Sequence, residues 1–198
     1  MAIKAGIFGD DTSFKDRYIP DHKKLAAKVK NWKDLGLTIV LTSGTWDLFH
    51  IGHAQYLEYA KGLGDLLIVG VDSDEKVRSR KGPHRPVVPE EERVHTLSHL
   101  RHVDVITLKP LAEKPNALIK LIRPDVLILS KSTKHKPADI SEKQKYCKKI
   151  VLLQPQAETS TSAKVRLLHV SGADRFAKEI AARIPALMEE IMESLNKK

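Results

Sequence analysis

The 198-residue chain has little of several things that mark other classes of protein. Its single cysteine, Cys147, excludes an intrachain disulfide and suits a reducing cytoplasm. Aromatic residues make up only 5% of the chain, which weakens an interpretation as a base-stacking platform. No apolar run approaches the roughly 20 residues that a membrane-spanning helix needs, and the N-terminus lacks the apolar stretch of a secretory signal. We therefore expect a cytoplasmic protein with no membrane partner.

The net charge of +9 is compatible with two kinds of partner. Basic residues occur in every region, with modest clusters at residues 78–85 and 131–136 and no long basic tail. This distribution suits ligands that carry many phosphates, and nucleic acid is the weaker alternative. Apolar residues make up 41% of the chain, enough for a sizeable core. The length allows one α/β domain with an appendage.

Short runs rich in Val, Ile and Leu alternate with helical patterns, which is typical of parallel βαβ units. The predicted strands span residues 38–42, 66–71, 103–108, 126–129 and 150–153. The predicted helices between them lie near residues 52–63, 89–100, 116–122 and 141–148. Several strands are continuously apolar, as expected where helices cover both faces of a sheet. The segment 79–88 is rich in Arg, Lys, Gly and Pro, and it is predicted to be a loop that becomes ordered on binding a ligand.

Helical patterns flank this core at both ends. Residues 21–35 predict a helix, and a position over the sheet edge would bury its apolar stripe of Leu25, Val29, Trp32 and Leu35. From Ala173 onward apolar residues again recur at helical spacing, and this stripe either packs on its own core or forms a homodimer contact. The predicted division is an N-terminal extension with one helix (1–37), a core domain (38–170) and a C-terminal helical extension (171–198).

The strongest motif follows the first predicted strand and reads Ser43-Gly44-Thr45-Trp46-Asp47-Leu48-Phe49-His50-Ile51-Gly52-His53. A strand leads into a glycine-containing turn and a helix, so backbone N–H groups and the positive helix end face an anion beyond the strand. His50 and His53 lie at that helix start, and Gly52 lacks the Cβ that would block a phosphate. A zinc pair is disfavoured because no third or fourth ligand stands at metal spacing. No protein metal site is predicted.

A second helix start, Thr159-Ser160-Thr161-Ser162-Ala163-Lys164, is rich in hydroxyl groups and precedes an apolar helical run. Hydroxyls and unpaired N–H groups at a helix N-terminus can bind an anion. An ordinary N-cap cluster is the alternative, and the first motif favours the anion site.

The residues Gly44-Thr45-Trp46-Asp47 with His50-x-Gly52-His53 resemble the GTFDxxHxGH motif of the cytidylyltransferase-like nucleotidyltransferases. The similarity continues from Tyr56 to Asp74 and from Arg85 through Arg93 to Asp104, covering about residues 38–170. The Arg85-Pro86-Val87 segment is most similar to the adenylyltransferase branch that makes ADP-heptose from heptose 1-phosphate. Glycerol-phosphate and ethanolamine-phosphate cytidylyltransferases are next. The resemblance implies a Rossmann-like, doubly wound sheet of five parallel strands in the order 3-2-1-4-5.

The resemblance also implies an activity: transfer of a nucleoside monophosphate from an NTP to a small phosphorylated acceptor such as a sugar phosphate, with release of pyrophosphate. AMP is the favoured group and CMP the second. One alternative is a cytidylyltransferase for glycerol phosphate or an amino-alcohol phosphate. A non-catalytic nucleotide- or RNA-binding module on the same fold is the alternative from another class. Mg²⁺ is the expected cofactor, bridging phosphate oxygens with few protein ligands.

By this resemblance His50, His53, Arg80 and Lys81 are the expected catalytic residues. The nucleotide is expected to contact Gly44, Thr45, Trp46, Asp47, Gly52, Ser130, Ser160, Thr161 and Ser162. The acceptor is expected to contact Asp72, Arg85 and Arg101. Two departures bear on ligand selection, since this chain has Leu129-Ser130-Lys131-Ser132 where heptose-branch relatives usually carry Gly-Gly-Asp, and Gln154 and Gln156 where some relatives place an Arg.

Overall fold

A computed structural model describes residues 13–131, 133, 135–154, 179–185, 188 and 192 of the chain. The chain divides into two compact units, Met1–Glu158 and Thr159–Lys198. In the described part of the second unit, residues 179–185 are helical and Ile180 and Ile184 are exposed. The homodimer contact and the domain boundaries at 37 and 170 stay predictions. Over the described residues, no helix has the length and apolar character needed to span a membrane.

Five parallel strands form one sheet in the order β3-β2-β1-β4-β5. The strands are β1 (Ile39–Gly44), β2 (Leu66–Asp72), β3 (Val105–Lys109), β4 (Val126–Ser130) and β5 (Lys149–Leu153). All seven residues of β2 are buried, which explains its continuously apolar sequence at the middle of a doubly covered sheet. The predicted fold class and strand order are confirmed.

Seven helices accompany the strands in the described part of the first unit: α1 (Phe14–Arg17), α2 (His22–Asp34), α3 (Ile51–Lys61), α4 (Asp74–Lys81), α5 (Glu90–Ser98), α6 (Ala117–Ile122) and α7 (Pro137–Gln144). Helix α7 begins at Pro137 rather than at the predicted residue 141, because proline suits the first helical turn.

Helix α4 corrects the prediction that residues 79–88 form a loop. The Ser73 side chain accepts a hydrogen bond from the backbone N–H of Lys76 (3.2 Å) and so caps the helix start. Acidic residues occupy the first turn, and Arg78, Arg80 and Lys81 occupy the last turn, in agreement with the helix dipole. Arg80 and Lys81 therefore lie on a helix, and the loop begins only at Gly82.

Two apolar clusters cover the two faces of the sheet. One cluster contains side chains of α3 and α5, including Tyr56, Leu57 and Leu97. The other contains side chains of α2 and α6. Helix α2 therefore packs on a face of the sheet, not over its edge as predicted, with Leu25, Val29 and Trp32 buried. Leu35 follows the last residue of α2 and is exposed, so it does not belong to the buried stripe.

The segment just before α2 covers the edge of the sheet instead. Tyr18 forms a parallel bridge with Ile106 of β3, and the Ile19 N–H donates to the Ile106 carbonyl at 2.8 Å. The Arg17 guanidinium donates to the carbonyls of Ser98, Leu100 and Val103 at 3.1–3.2 Å. The N-terminal extension thus pairs with an edge strand whose backbone groups would otherwise invite other chains.

A buried tyrosine gives the fold a testable pH dependence. The Tyr56 hydroxyl lies 3.0 Å from the Thr42 hydroxyl. Burial raises the pKa of Tyr56 to about 12, although the hydrogen bond with Thr42 opposes this. The unfolded tyrosine titrates near pH 10, so the resulting stability is present below pH 10 and is lost as the pH rises towards 12.

Between pH 9.5 and 11, the free energy of unfolding should fall by about 1 kcal/mol more in the wild type than in Tyr56→Phe. Urea unfolding over this range measures the difference, and the remaining tyrosines serve as an internal control because both proteins contain them. The same pH dependence in both proteins would contradict this prediction.

Candidate active site

The turn that follows β1 is built around a buried tryptophan. Trp46 and Leu48 have left-handed backbone angles, with φ of 58° and 47°. The Trp46 indole N–H donates to the Gly70 carbonyl at 3.1 Å. A Cβ added at Gly44 would lie 3.3 Å from the indole ring, so glycine at this position makes room for it. Trp46, predicted to contact the nucleotide, is placed in the apolar core and holds the turn.

The two motif histidines are stacked at the start of α3. Their ring centroids are 3.9 Å apart and their planes differ by 25°. His50 is the N-cap of α3, and its Nδ1 accepts a hydrogen bond from the Gly52 N–H at 3.1 Å. In the neutral His50 ring the proton must then be on Nε2. The His53 ring also contacts the rings of Trp46 (5.5 Å between centroids) and Phe49 (5.4 Å), so both imidazoles have defined positions.

Asp47 ties the loop after α4 to this turn. Its carboxylate is buried and accepts hydrogen bonds from the backbone N–H groups of Val87 and Val88 at 3.0–3.1 Å. The Arg85 guanidinium lies 3.2 Å from the same carboxylate. These contacts give Asp47 a structural role in holding the loop against the turn, and its predicted contact with the nucleotide stays a prediction. The loop from Gly82 to Val88 is anchored at its end by this carboxylate.

Arg80 and Lys81 bring positive charge to the same place. An Arg80 Nη atom lies 2.7 Å from Asp72 Oδ2 and 3.5 Å from the Thr45 hydroxyl. Desolvation lowers the pKa of Lys81, the nearby Arg80 and Arg85 guanidiniums lower it further, and the carboxylates of Asp47 and Asp72 oppose the shift. Five charged side chains therefore interact at this place: the carboxylates of Asp47 and Asp72 and the cations of Arg80, Lys81 and Arg85. The three cations are called the cationic cluster below.

Arg93 is a central residue of the site that sequence reasoning missed. It is 1% exposed, and its guanidinium donates to the carbonyls of Thr45, Asp72 (2.9 Å) and Val88 (3.0 Å). It also pairs with Asp74 at 2.7 Å. Arg93 thus joins the ends of β1 and β2 to the loop before α5. The signal in the sequence was a charged residue beside Val94 and Leu97 on the apolar face of a predicted helix.

The structure does not bring every predicted residue to this edge. Arg101 precedes β3, so it lies at the amino-terminal ends of the strands, opposite the carboxyl ends where the histidine turn is found. Its side chain is 83% exposed, and its guanidinium lies 3.8 Å from Glu58. Ser130 ends β4, the strand beside β1, and is therefore at the same carboxyl edge as the histidine turn. Ser160, Thr161 and Ser162 lie outside the described residues.

The described residues offer no cage for a metal ion. Among them, no three His, Cys, Asp or Glu side chains are grouped so that they could hold one. Asp47 and Asp72 are already engaged by cations and by backbone N–H groups. The Mg²⁺ ion expected from the family resemblance would be held by phosphate oxygens and water, and it stays a prediction.

Comparison with known proteins gives consistent matches. The family model described as cytidylyltransferase-like matches residues 41–182. Proteins named bifunctional protein HldE are 36% identical over 155 residues in Sulfurimonas denitrificans and 39% identical over 145 residues in Methylobacillus flagellatus. These matches cover 78% and 73% of this chain but only 32% and 30% of the relatives. The chain therefore spans about a third of the length of the relatives that it matches.

Solved structures agree with the fold. The lipopolysaccharide core biosynthesis protein from Thermoplasma volcanium is 28% identical, with a TM-score of 0.53, and the match covers 63% of this chain and all of that one. Pantoate-beta-alanine ligase from Francisella tularensis has a TM-score of 0.54 at 15% identity, over 72% of this chain and 68% of that one. The second likeness concerns the fold alone.

Proposed function

The chain belongs to the cytidylyltransferase-like family, and we propose that it transfers AMP from ATP to a sugar phosphate and releases pyrophosphate. The observation that carries this proposal is the stacked His50–His53 pair at a helix start, at the same sheet edge as the cationic cluster. The matches to HldE proteins, together with the resemblance of the Arg85-Pro86-Val87 segment to the ADP-heptose branch, favour ATP and a heptose phosphate.

In the proposed reaction an oxygen of the acceptor phosphate attacks the α-phosphorus of ATP. The bond from that phosphorus to the pyrophosphate oxygen breaks, and pyrophosphate leaves with the electron pair. The acceptor phosphate is largely ionised at neutral pH, so no general base is required. Catalysis then depends on positioning and on stabilising charge around the α-phosphate.

The position of His50 supports such a role. Because His50 Nδ1 is occupied by the Gly52 N–H, the neutral ring has an Nε2–H to donate to a phosphate oxygen. The start of α3 adds its positive dipole end. The nucleotide would occupy the crevice between the ends of β1 and β4, the point where the strand order reverses, next to Ser130.

Arg80, Lys81 and Arg85 would supply positive charge to the phosphates of the two substrates. Mg²⁺, bound to the triphosphate, would neutralise charge on the departing pyrophosphate. The residues expected to hold the triphosphate itself, Ser160, Thr161 and Ser162, remain a prediction from the family motif.

The test is pyrophosphate release with ATP, CTP, GTP or UTP, each combined with heptose 1-phosphate, other sugar 1-phosphates, glycerol 3-phosphate or ethanolamine phosphate. We expect kcat/KM for ATP with heptose 1-phosphate to exceed that of every CTP pair by about tenfold or more, a difference of about 1.4 kcal/mol in transition-state binding. The variant Arg101→Gln should leave this ratio unchanged, because Arg101 lies at the amino-terminal ends of the strands, away from the proposed site.

Two outcomes would replace the proposal. Preferred use of CTP with glycerol 3-phosphate or ethanolamine phosphate would make the protein a cytidylyltransferase. Binding of ATP with no pyrophosphate release from any pair would favour a non-catalytic nucleotide-binding module.

A further inference from the structure

Lys109 is the last residue of β3, and its side chain reaches towards the centre of the sheet. Its ammonium lies 3.4 Å from Asp72 Oδ1 at the end of β2. The same ammonium lies 3.3 Å from the Ser43 hydroxyl near the end of β1. A cation from the edge strand is therefore held over the carboxyl ends of three neighbouring strands.

The path of this side chain depends on a glycine in β2. A Cβ added at Gly70 would lie 2.9 Å from Leu118 Cδ2, 2.9 Å from Lys109 Cδ and 3.0 Å from Ser43 Cβ. These distances are closer than ordinary van der Waals contact, so the lysine stem lies in space that only a glycine at position 70 leaves open. The lysine and the glycine together place the ammonium beside Ser43.

The charges around Asp72 do not balance. Its buried carboxylate faces Arg80 at Oδ2 (2.7 Å) and Lys109 at Oδ1 (3.4 Å). One carboxylate is therefore paired with two cations. The contact with Lys109 is ionic only, since Asp72 Oδ1 has no hydrogen-bond partner among the residues that the structure describes. The side chains of Arg80 and Lys109 are 52% and 19% exposed, so both cations remain accessible to a ligand.

We propose that Arg80 and Lys109, held side by side by Asp72, bind the phosphate group of the acceptor, with the Ser43 hydroxyl as a third contact. This assignment rests on the proposed function and adds Lys109 and Ser43 to its binding residues. A phosphomonoester carries close to two negative charges and three acceptor oxygens, which matches a surplus cation with guanidinium, ammonium and hydroxyl donors. The contact of Arg80 with Thr45 joins this phosphate site to the turn that leads to His50.

A kinetic measurement tests the assignment. Lys109→Gln should raise the KM for the phosphorylated acceptor by about tenfold to a hundredfold, as expected for a lost hydrogen bond to a charged group. The KM for ATP should change by less than about twofold, since the nucleotide binds elsewhere along the edge. Lys109→Arg, which keeps the charge, should recover part of the loss.

A control variant tests for a general effect of losing one positive charge. Lys30→Gln removes a charge from an exposed position on α2 and should leave both KM values unchanged. An unchanged acceptor KM in Lys109→Gln, or an equal rise in the KM for ATP, would overturn the assignment.

A second readout needs no turnover. Reductive methylation of lysines, followed by peptide mass spectrometry, is carried out on the wild-type chain in inorganic phosphate or in chloride at equal ionic strength. Phosphate should slow the modification of Lys109 by about threefold or more through mass action, and it should leave Lys30 unaffected. Equal rates at Lys109 would overturn the phosphate site. Protection without pyrophosphate release from any substrate pair would support the phosphate site and reject the proposed reaction.

Discussion

Replacing His53 by alanine is expected to lower kcat by about a hundredfold to a thousandfold, the usual effect of removing one donor that stabilises charge in a transition state. The loss should appear in kcat and kcat/KM alike, because the contact is made in the transition state. Pyrophosphate release at saturating substrates measures it. The sequence alone suggests that such a variant would unfold at nearly the wild-type temperature. The packing of the His53 ring on Trp46, Phe49 and His50 instead predicts a cost of about 1 kcal/mol.

Phe49→Leu is the matched control for this packing. It removes a ring that His53 contacts but retains both imidazoles. A similar loss of stability with most of the activity retained would assign the kinetic effect of His53→Ala to the imidazole itself. Full activity in His53→Ala would rule out the proposed role, and equal loss of activity in both variants would assign the effect to packing.

Replacing Arg93 by methionine is expected to lower the free energy of unfolding by about 3–5 kcal/mol, the range seen when one partner of a buried ion pair is removed. Methionine retains an unbranched stem of similar shape, so the change mainly removes the guanidinium. The Asp74 carboxylate and the carbonyls of Thr45, Asp72 and Val88 would then lose their donor together. Urea unfolding measures the loss.

Arg101→Met provides the comparison, because the same substitution at an exposed arginine should stay within about 0.5 kcal/mol. Arg93→Lys should recover only part of the loss, since one ammonium cannot reach three carbonyls and a carboxylate in the planar geometry of a guanidinium. A loss below about 1 kcal/mol in Arg93→Met would show that other contacts hold the ends of β1 and β2 to the loop before α5.

Features with a local cause could be predicted from the sequence. The buried strands appear as continuous apolar runs, and the start of α3 appears as a strand, a turn and a helix around His50 and Gly52. The strand order came from the family resemblance, and the structure confirms it. Helix α4 was missed because Val77 is its only buried residue, so it has no apolar periodicity, and its cap at Ser73 was the remaining signal.

The sequence by itself therefore determined the family, the sheet and the helix start that holds the two histidines, since neighbouring residues specify each of these. Tertiary structure alone decided which side chains meet at the carboxyl edge. Thr45 and Arg93 are 48 residues apart, and Ser43 and Lys109 are 66 residues apart. The strand order brings the carboxyl ends of β3, β2 and β1 together and so places Lys109 at the site. Arg101, only eight residues earlier, precedes β3 and therefore lies at the other end of the strands. Periodicity and capping act within a few residues, whereas these partners depend on which strands are neighbours.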